Sequence, residues 1–346
     1  MYILFYLYSI ILMVYGTAIS CAVRQYASFP VSVPVANVVK EPGVIYTCTA
    51  PVLSKDVPKL AAQVLYNEIV HVMEQRDGWY YVQVPHITYL LDDTRFCVEG
   101  WIRAEEVSAV QSLRCEHGAM VVCVVPWTAV YIRSADGLSY THRCAISFGT
   151  RLIDLGAEGF WHKVRLLNDV EGYVPTSAIR QYTHHKRGTD FLRHDMVRYA
   201  RSLLGAPYCF VGCSAYNPCY DVLTGFDCSG LVFRLHDVFG IAVPRNSLSQ
   251  YKVARSINPG NMRAGDLVFL ARAMEMDGKP TIYHVMIYSG EGTLIEATAR
   301  RPDGIIEPQP LREIPVAVRL GRPLKELQQG DQYREDYIYC ASLLPN

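Results

Sequence analysis

"GFDCSGLVF", residues 225–233, sets a cysteine between an aspartate and a Ser-Gly pair and then opens an apolar run. From Cys228 onward, Leu231, Val232, Leu235, Val238 and Phe239 recur at helical spacing, and Gly240 ends the run. The stretch predicts a helix with Asp227 as N-cap and Cys228 in the first turn. Unpaired N–H groups and the positive end of the helix dipole gather there, and both favour a thiolate. A thiolate is the attacking species in acyl transfer, provided a nearby base supplies it. Gly230 leaves room for another backbone segment to approach.

The base should be one of the 10 histidines. His236 lies on the same helix, but eight residues at about 1.5 Å each put it roughly 12 Å along the axis. His284 sits in a strand pattern, "YHVMIYSG" at 283–290. Period-two alternation gives His284, Met286 and Tyr288 one face. A turn around 289–292 returns the chain through "TLIEATA", and several registers bring Glu296 opposite or diagonal to His284, with Cβ atoms about 5–7 Å apart. A carboxylate there can fix the imidazole tautomer.

The surrounding segment reads as an α+β unit. "DFLRHDMVRYARSLLG", 190–205, predicts a helix with Phe191, Met196, Ala200, Leu203 and Leu204 largely on one face. Strand-like runs follow Cys228 from Asp266, Tyr283, Thr293 and Asp336. Helices first and an antiparallel sheet afterwards is an α+β arrangement. Upstream, "RQYTHHKRGTD" (180–190) reads as a linker.

Before the linker a pattern repeats. "DGWYYVQV" (77–84) with "EGWI" (99–102) matches "EGFWHKVRL" (158–166) with "EGYV" (171–174). Trp79 answers Trp161, Val82 answers Val164, and Gly100 answers Gly172. Alternating aromatic and β-branched residues around turn formers predict two small antiparallel barrels, 30–110 and 113–182.

Lys+Arg and Asp+Glu both number 33 in 346 residues, so no electrostatic case arises for nucleic acid. The first 20 residues carry no charge. They read as a secretory signal, with Cys21 as a lipid-modified variant of that reading, or as an uncleaved membrane anchor. Either places the protein in the envelope or outside the cell, where disulfides form.

The motifs "GAPYCFVG … GFDCSGLV … VPRNS … RAGDLVFL … YHVMIYSG … LIEATA" resemble the NlpC/P60 family of cysteine peptidases over about 205–300, in order and spacing. The paired barrels resemble bacterial SH3 domains. The resemblance implies a papain-like α+β catalytic domain, helices packed on an antiparallel sheet, over 189–346. Two all-β SH3-like barrels precede it. It implies Cys228 as nucleophile, His284 as base and Glu296 in the third polar position, where many members carry histidine. The whole arrangement is similar to γ-D-glutamyl-L-diamino-acid endopeptidases that trim peptidoglycan stem peptides. Substrate contacts of those enzymes map onto Tyr208, Asp227, Ser229 and Ser247. A first-barrel glutamate that binds the substrate's free amine maps onto Glu68, in "VLYNEIV". The tyrosine expected just before the "GW" turn is absent, with Phe96, Cys97 and Val98 standing there. Either Tyr81 or Tyr89 substitutes for it, or amine recognition is altered.

No metal or cofactor is implied. The insertion "CSAYNPCYDVLT" adds Cys213 and Cys219 near Cys209. A zinc site with Cys228 is the weaker reading, and a disulfide or free thiols the stronger; a bridge would pin the loop beside the active site. The expected partners are peptidoglycan-derived peptides. An N-acetylmuramoyl-L-alanine amidase and an inactive wall-binding adaptor are the competing functions. Lipid acyltransfer is disfavoured, because in the permuted relatives that perform it the histidine precedes the cysteine.

Overall fold

The computed structural model describes residues 27–44, 59–109, 119–182, 189–215, 222–274, 280–300 and 306–345. The expected signal or anchor at 1–20 lies outside them, as does Cys219. No helix among the described residues is long and apolar enough to cross a membrane.

The N-terminal half is all β. Six antiparallel strands between residues 27 and 103 form one sheet, and seven between 120 and 182 form another. The sequence repeat falls on the same hairpin in both. Val82 pairs with Gly100 in the first sheet, and Val164 pairs with Gly172 in the second. Each sheet buries its alternate residues, Val38, Val64, Val82 and Ile102 in one, Val130, Ile146, Leu152 and Val164 in the other. The linker expected at 180–190 is shorter than its polarity suggests. Strand Ile179–Tyr182 pairs with Met120–Cys123, and a helix begins at Thr189.

That helix, α1 (Thr189–Ser202), buries Leu192, Met196, Val197 and Ala200. Met196, Ala200 and Leu203 of the expected face are buried, but Phe191 is 72% exposed and Leu204 40%, and Leu192 and Val197 are buried instead. Helix α2 (Cys228–Val238) follows the predicted pattern. Leu231, Val232, Leu235 and Val238 are fully buried against one face of the C-terminal sheet, each contributing about 2 kcal/mol of apolar burial. Gly230 is required, because a Cβ there would overlap the Gly212 carbonyl oxygen. Helix α3 (Ser247–Val253) is capped by Asn246, whose side chain accepts from the Ser249 N–H at 2.7 Å.

The C-terminal sheet runs Arg255–Ser256, Asp336–Ser342, Leu267–Met274, Pro280–Tyr288, Thr293–Arg300, Ile306–Pro315, all neighbours antiparallel, with Asp331–Tyr333 added on Asp336–Ser342. Its other face carries a second core of Val268, Leu270, Met286 and Leu294, covered by α4 (Val316–Leu320). Strand Ile306–Pro315 and α4 were not legible as elements.

Arg234 joins the units. It is wholly buried in α2, yet charged. Its Nη1 meets Glu68 of the first β unit at 2.5 Å and Asp237 at 3.2 Å, and its Nε donates to the Cys213 carbonyl at 3.1 Å. Gly149 of the second β unit, at φ +89°, gives its side chain room. The expectation that Glu68 binds a substrate amine is thereby corrected. Glu68 Oε1 is held by Arg234, Oε2 accepts from the Leu65 N–H at 2.8 Å, and His86 Nε2 lies 3.0 Å from it. Burial opposes its ionisation, but Arg234 and His86 hold the carboxyl well below its ordinary 4.5. Its contribution to stability is therefore present above pH 4.5 and lost as the solution acidifies toward the folded value. Glu68→Gln should cost about 3 kcal/mol, because it leaves Arg234 buried without its carboxylate. Thermal and denaturant unfolding at neutral pH measure this; an unchanged midpoint would mean that Asp237 alone satisfies Arg234.

Candidate active site

Asp227 has extended backbone and caps α2: its Oδ1 accepts from the Gly230 N–H at 2.6 Å. The same oxygen accepts from Arg245 Nη1 at 2.9 Å and Ser229 Oγ at 3.2 Å, while Oδ2 accepts from the Val211 N–H at 2.9 Å and Arg245 Nη2 at 3.1 Å. The aspartate is thus occupied by the protein itself. It fixes the turn that presents Cys228 and is not free to bind a substrate cation alone. Arg245 is buried and also donates to the Gly212 carbonyl at 2.9 Å. It belongs to "VPRNS", where only Ser247 was singled out from sequence.

Cys228, half-buried, opens onto a cavity of about 740 Å³. One wall comes from the first β unit, through Lys40, Leu60, Tyr89 and Glu99. The floor holds Tyr208, Asp227, Ser229 and Ser247, and the far wall Arg272, Tyr283, His284 and Thr298. Four of the five expected substrate contacts therefore line one cavity, and Glu68 does not. Burial, and then the negative charges of Asp227 and Cys228, push the Tyr208 hydroxyl far above its ordinary value, so it stays a neutral donor.

His284 is buried on strand Pro280–Tyr288, and its Nε2 lies 3.0 Å from Glu296 Oε2. Glu296 stands on the next strand, in a hairpin where Ile287 pairs with Ile295 and Tyr288 with Leu294. Burial disfavours the imidazolium, yet the charge and hydrogen bond of Cys228, followed by Glu296, push His284 up to about 9. His284 thus hydrogen-bonds both Cys228 and Glu296, so that one ring nitrogen serves the cysteine while Nε2 faces the carboxylate. His236, dismissed on distance, is spent on the Val232 carbonyl at 2.8 Å within α2.

Glu296 is 0% exposed. Burial would lift its pKa, but His284, then Arg319 and Arg312, hold it well below the ordinary carboxylate range. These arginines had no signal in the sequence that pointed to the site. Glu99, at the start of the "EGWI" repeat, also lines the cavity. Cys209 and Cys213 are free thiols, which corrects the bridge and leaves the alternative of free thiols for these two. Cys213 Sγ instead lies 3.3 Å from the Gln63 carbonyl.

A cysteine at a helix N-terminus, a histidine beside it and a carboxylate behind the histidine, all on a helix-and-sheet scaffold, have the layout of a papain-like site. Residues 205–311 match the NlpC/P60 family, and the chain carries an NlpC/P60 domain there. The chain is 25% identical over 241 residues to a gamma-D-glutamyl-L-lysine dipeptidyl-peptidase of Bacillus cereus, covering 69% of this chain and 67% of that protein. It is 36% identical over 107 residues to the peptidoglycan endopeptidase RipA of Mycobacterium tuberculosis, covering 30% and 21%. A crystal structure of an NlpC/P60 family protein from Bacillus cereus shares the fold at TM-score 0.68 and 21% identity, over 92% of this chain and 100% of that one.

Proposed function

We propose that this protein is an envelope cysteine peptidase that cleaves peptidoglycan stem peptides between γ-D-glutamate and the diamino acid. The observation that carries the reading is Cys228, set by Asp227 at the mouth of α2 in one cavity with a His284 that Glu296 holds. Relatives with such activities in their names support the substrate class. The peptidoglycan named for the RipA relative supports an envelope location in this reading.

The Cys228 sulfur attacks the γ-carbonyl carbon and forms a C–S bond. The first turn of α2 offers N–H groups and the positive end of its dipole to the oxyanion, and the neutral Tyr208 hydroxyl stands nearby. His284 gives its proton to the departing diamino-acid nitrogen as the C–N bond breaks. Water, deprotonated by His284, then cleaves the thioester, releasing a carboxylate and restoring the thiol pair.

The wall from the first β unit closes one side of the cavity and suits a short peptide. Its carboxylate is Glu99, exposed and oriented by Tyr81 Oη at 3.2 Å and Gln83 Nε2 at 3.0 Å. Glu99 therefore takes the amine-binding role in this reading. Tyr81, one of the two tyrosines weighed as substitutes, supports it in this reading. Glu99→Gln is expected to lower kcat/KM roughly tenfold for a peptide with a free N-terminal L-Ala and to leave an N-acetylated peptide within twofold. The assay sets the free tripeptide, its acetylated form and its muramoyl-linked form side by side. Equal cleavage of all three would defeat the amine preference, and release of muramic acid would establish an amidase instead.

A further inference from the structure

Glu296 is wholly buried, and an isolated carboxylate there would be costly. Four hydrogen bonds meet it. Oε1 accepts both Nη2 and Nε of Arg312, at 2.8 and 3.2 Å. Oε2 accepts Nε of Arg319 at 3.1 Å and faces His284 Nε2 at 3.0 Å. Arg312 comes from strand Ile306–Pro315, where it stands directly across from Glu296. Arg319 comes from α4, which packs on the same sheet face. Both lie just beyond the segment that matches the family, which ends at 311.

The division of labour between the two oxygens is what gives this arrangement a consequence. The two Arg312 donors anchor Oε1, and the carboxylate's rotation is fixed only because Oε2 is held separately. Arg319 occupies one side of Oε2 and leaves the other side to the imidazole. A carboxylate held by only one of these groups could turn about its terminal bond and present Oε2 elsewhere. Neither arginine is among the residues that line the cavity. We propose that Arg312 and Arg319 are positioning residues, which aim the Glu296 carboxylate at His284 and so hold the imidazole toward Cys228. The inference rests on the cysteine-peptidase reading for its kinetic consequence, but not for its readout on the thiol.

A double-mutant cycle tests it. Wild type, Arg319→Met, Glu296→Gln and the double variant are compared, first by the rate at which iodoacetamide alkylates Cys228, which needs no substrate, and then by kcat and KM on the free tripeptide. Arg319→Met should slow alkylation and kcat about tenfold with KM within twofold, and the loss should shrink below about twofold when Glu296 is already Gln. Arg312→Lys keeps the charge, loses the fork and should slow both about threefold, while Arg319→Lys recovers part of the methionine loss. Equal losses in both Glu296 backgrounds would show that the arginines act by another route. Wild-type alkylation in folded single variants would reduce them to charge neutralisation. If no variant, wild type included, cuts the peptide, the substrate reading fails while the alkylation cycle still decides this one.

Discussion

Cys228→Ala is expected to reduce turnover of the free tripeptide by about four orders of magnitude or more, the scale on which loss of a nucleophile is felt when its partners cannot substitute. Folding should survive. The side chain is half-buried at the cavity mouth, and the N-cap of α2 is made by Asp227 and Gly230, not by the cysteine. Equal unfolding midpoints for the two proteins, with turnover lost, separate chemistry from stability. Substantial activity in the alanine variant would remove the thioester from the mechanism. A folded wild type inert on every stem peptide would favour a wall-binding adaptor.

The second large effect is expected at Glu296. Leucine there removes the acceptor of His284 and leaves Arg312 and Arg319 facing a buried apolar group. A stability loss of about 3 kcal/mol or more and a kcat loss of about a thousandfold are expected together. Glutamine keeps one acceptor oxygen but turns an amide N–H₂ toward donors, so it should fold better and lose about a hundredfold. The ordering wild type, Gln, Leu in both kcat and denaturation midpoint is the checkable result. Three equal rates would make Glu296 a bystander to catalysis.

The parts of this site that were legible in the sequence are those set by local periodicity. Cys228 announces itself because an apolar 3.6-residue pattern starts beside it and Asp227 is a cap residue. His284 and Glu296 are found because a strand, a turn and a strand fix their spacing to within a diagonal. Arg312 and Arg319 converge on Glu296 through an extra strand and a five-residue helix, and no pattern links positions so separated. The misreading of Glu68 has a different cause. It was placed by likeness to relatives, although the chain carries its own warning in "GLVFRLHDVFG". A charged residue inside the apolar run of α2 needs a buried partner, and Glu68 is that partner. Phe191 departs from the expected face of α1 because spacing does not separate it from its neighbour Leu192 at the helix start, and packing in the core chooses Leu192.

The most direct test of the central claim is mass spectrometry of the products from L-Ala-γ-D-Glu linked to a diamino acid, after incubation with the wild-type protein. The account predicts L-Ala-γ-D-Glu and the free diamino acid, with a transient mass on the Cys228 peptide equal to the acyl dipeptide. An intact peptide, or cleavage at the L-Ala–D-Glu bond, would contradict it.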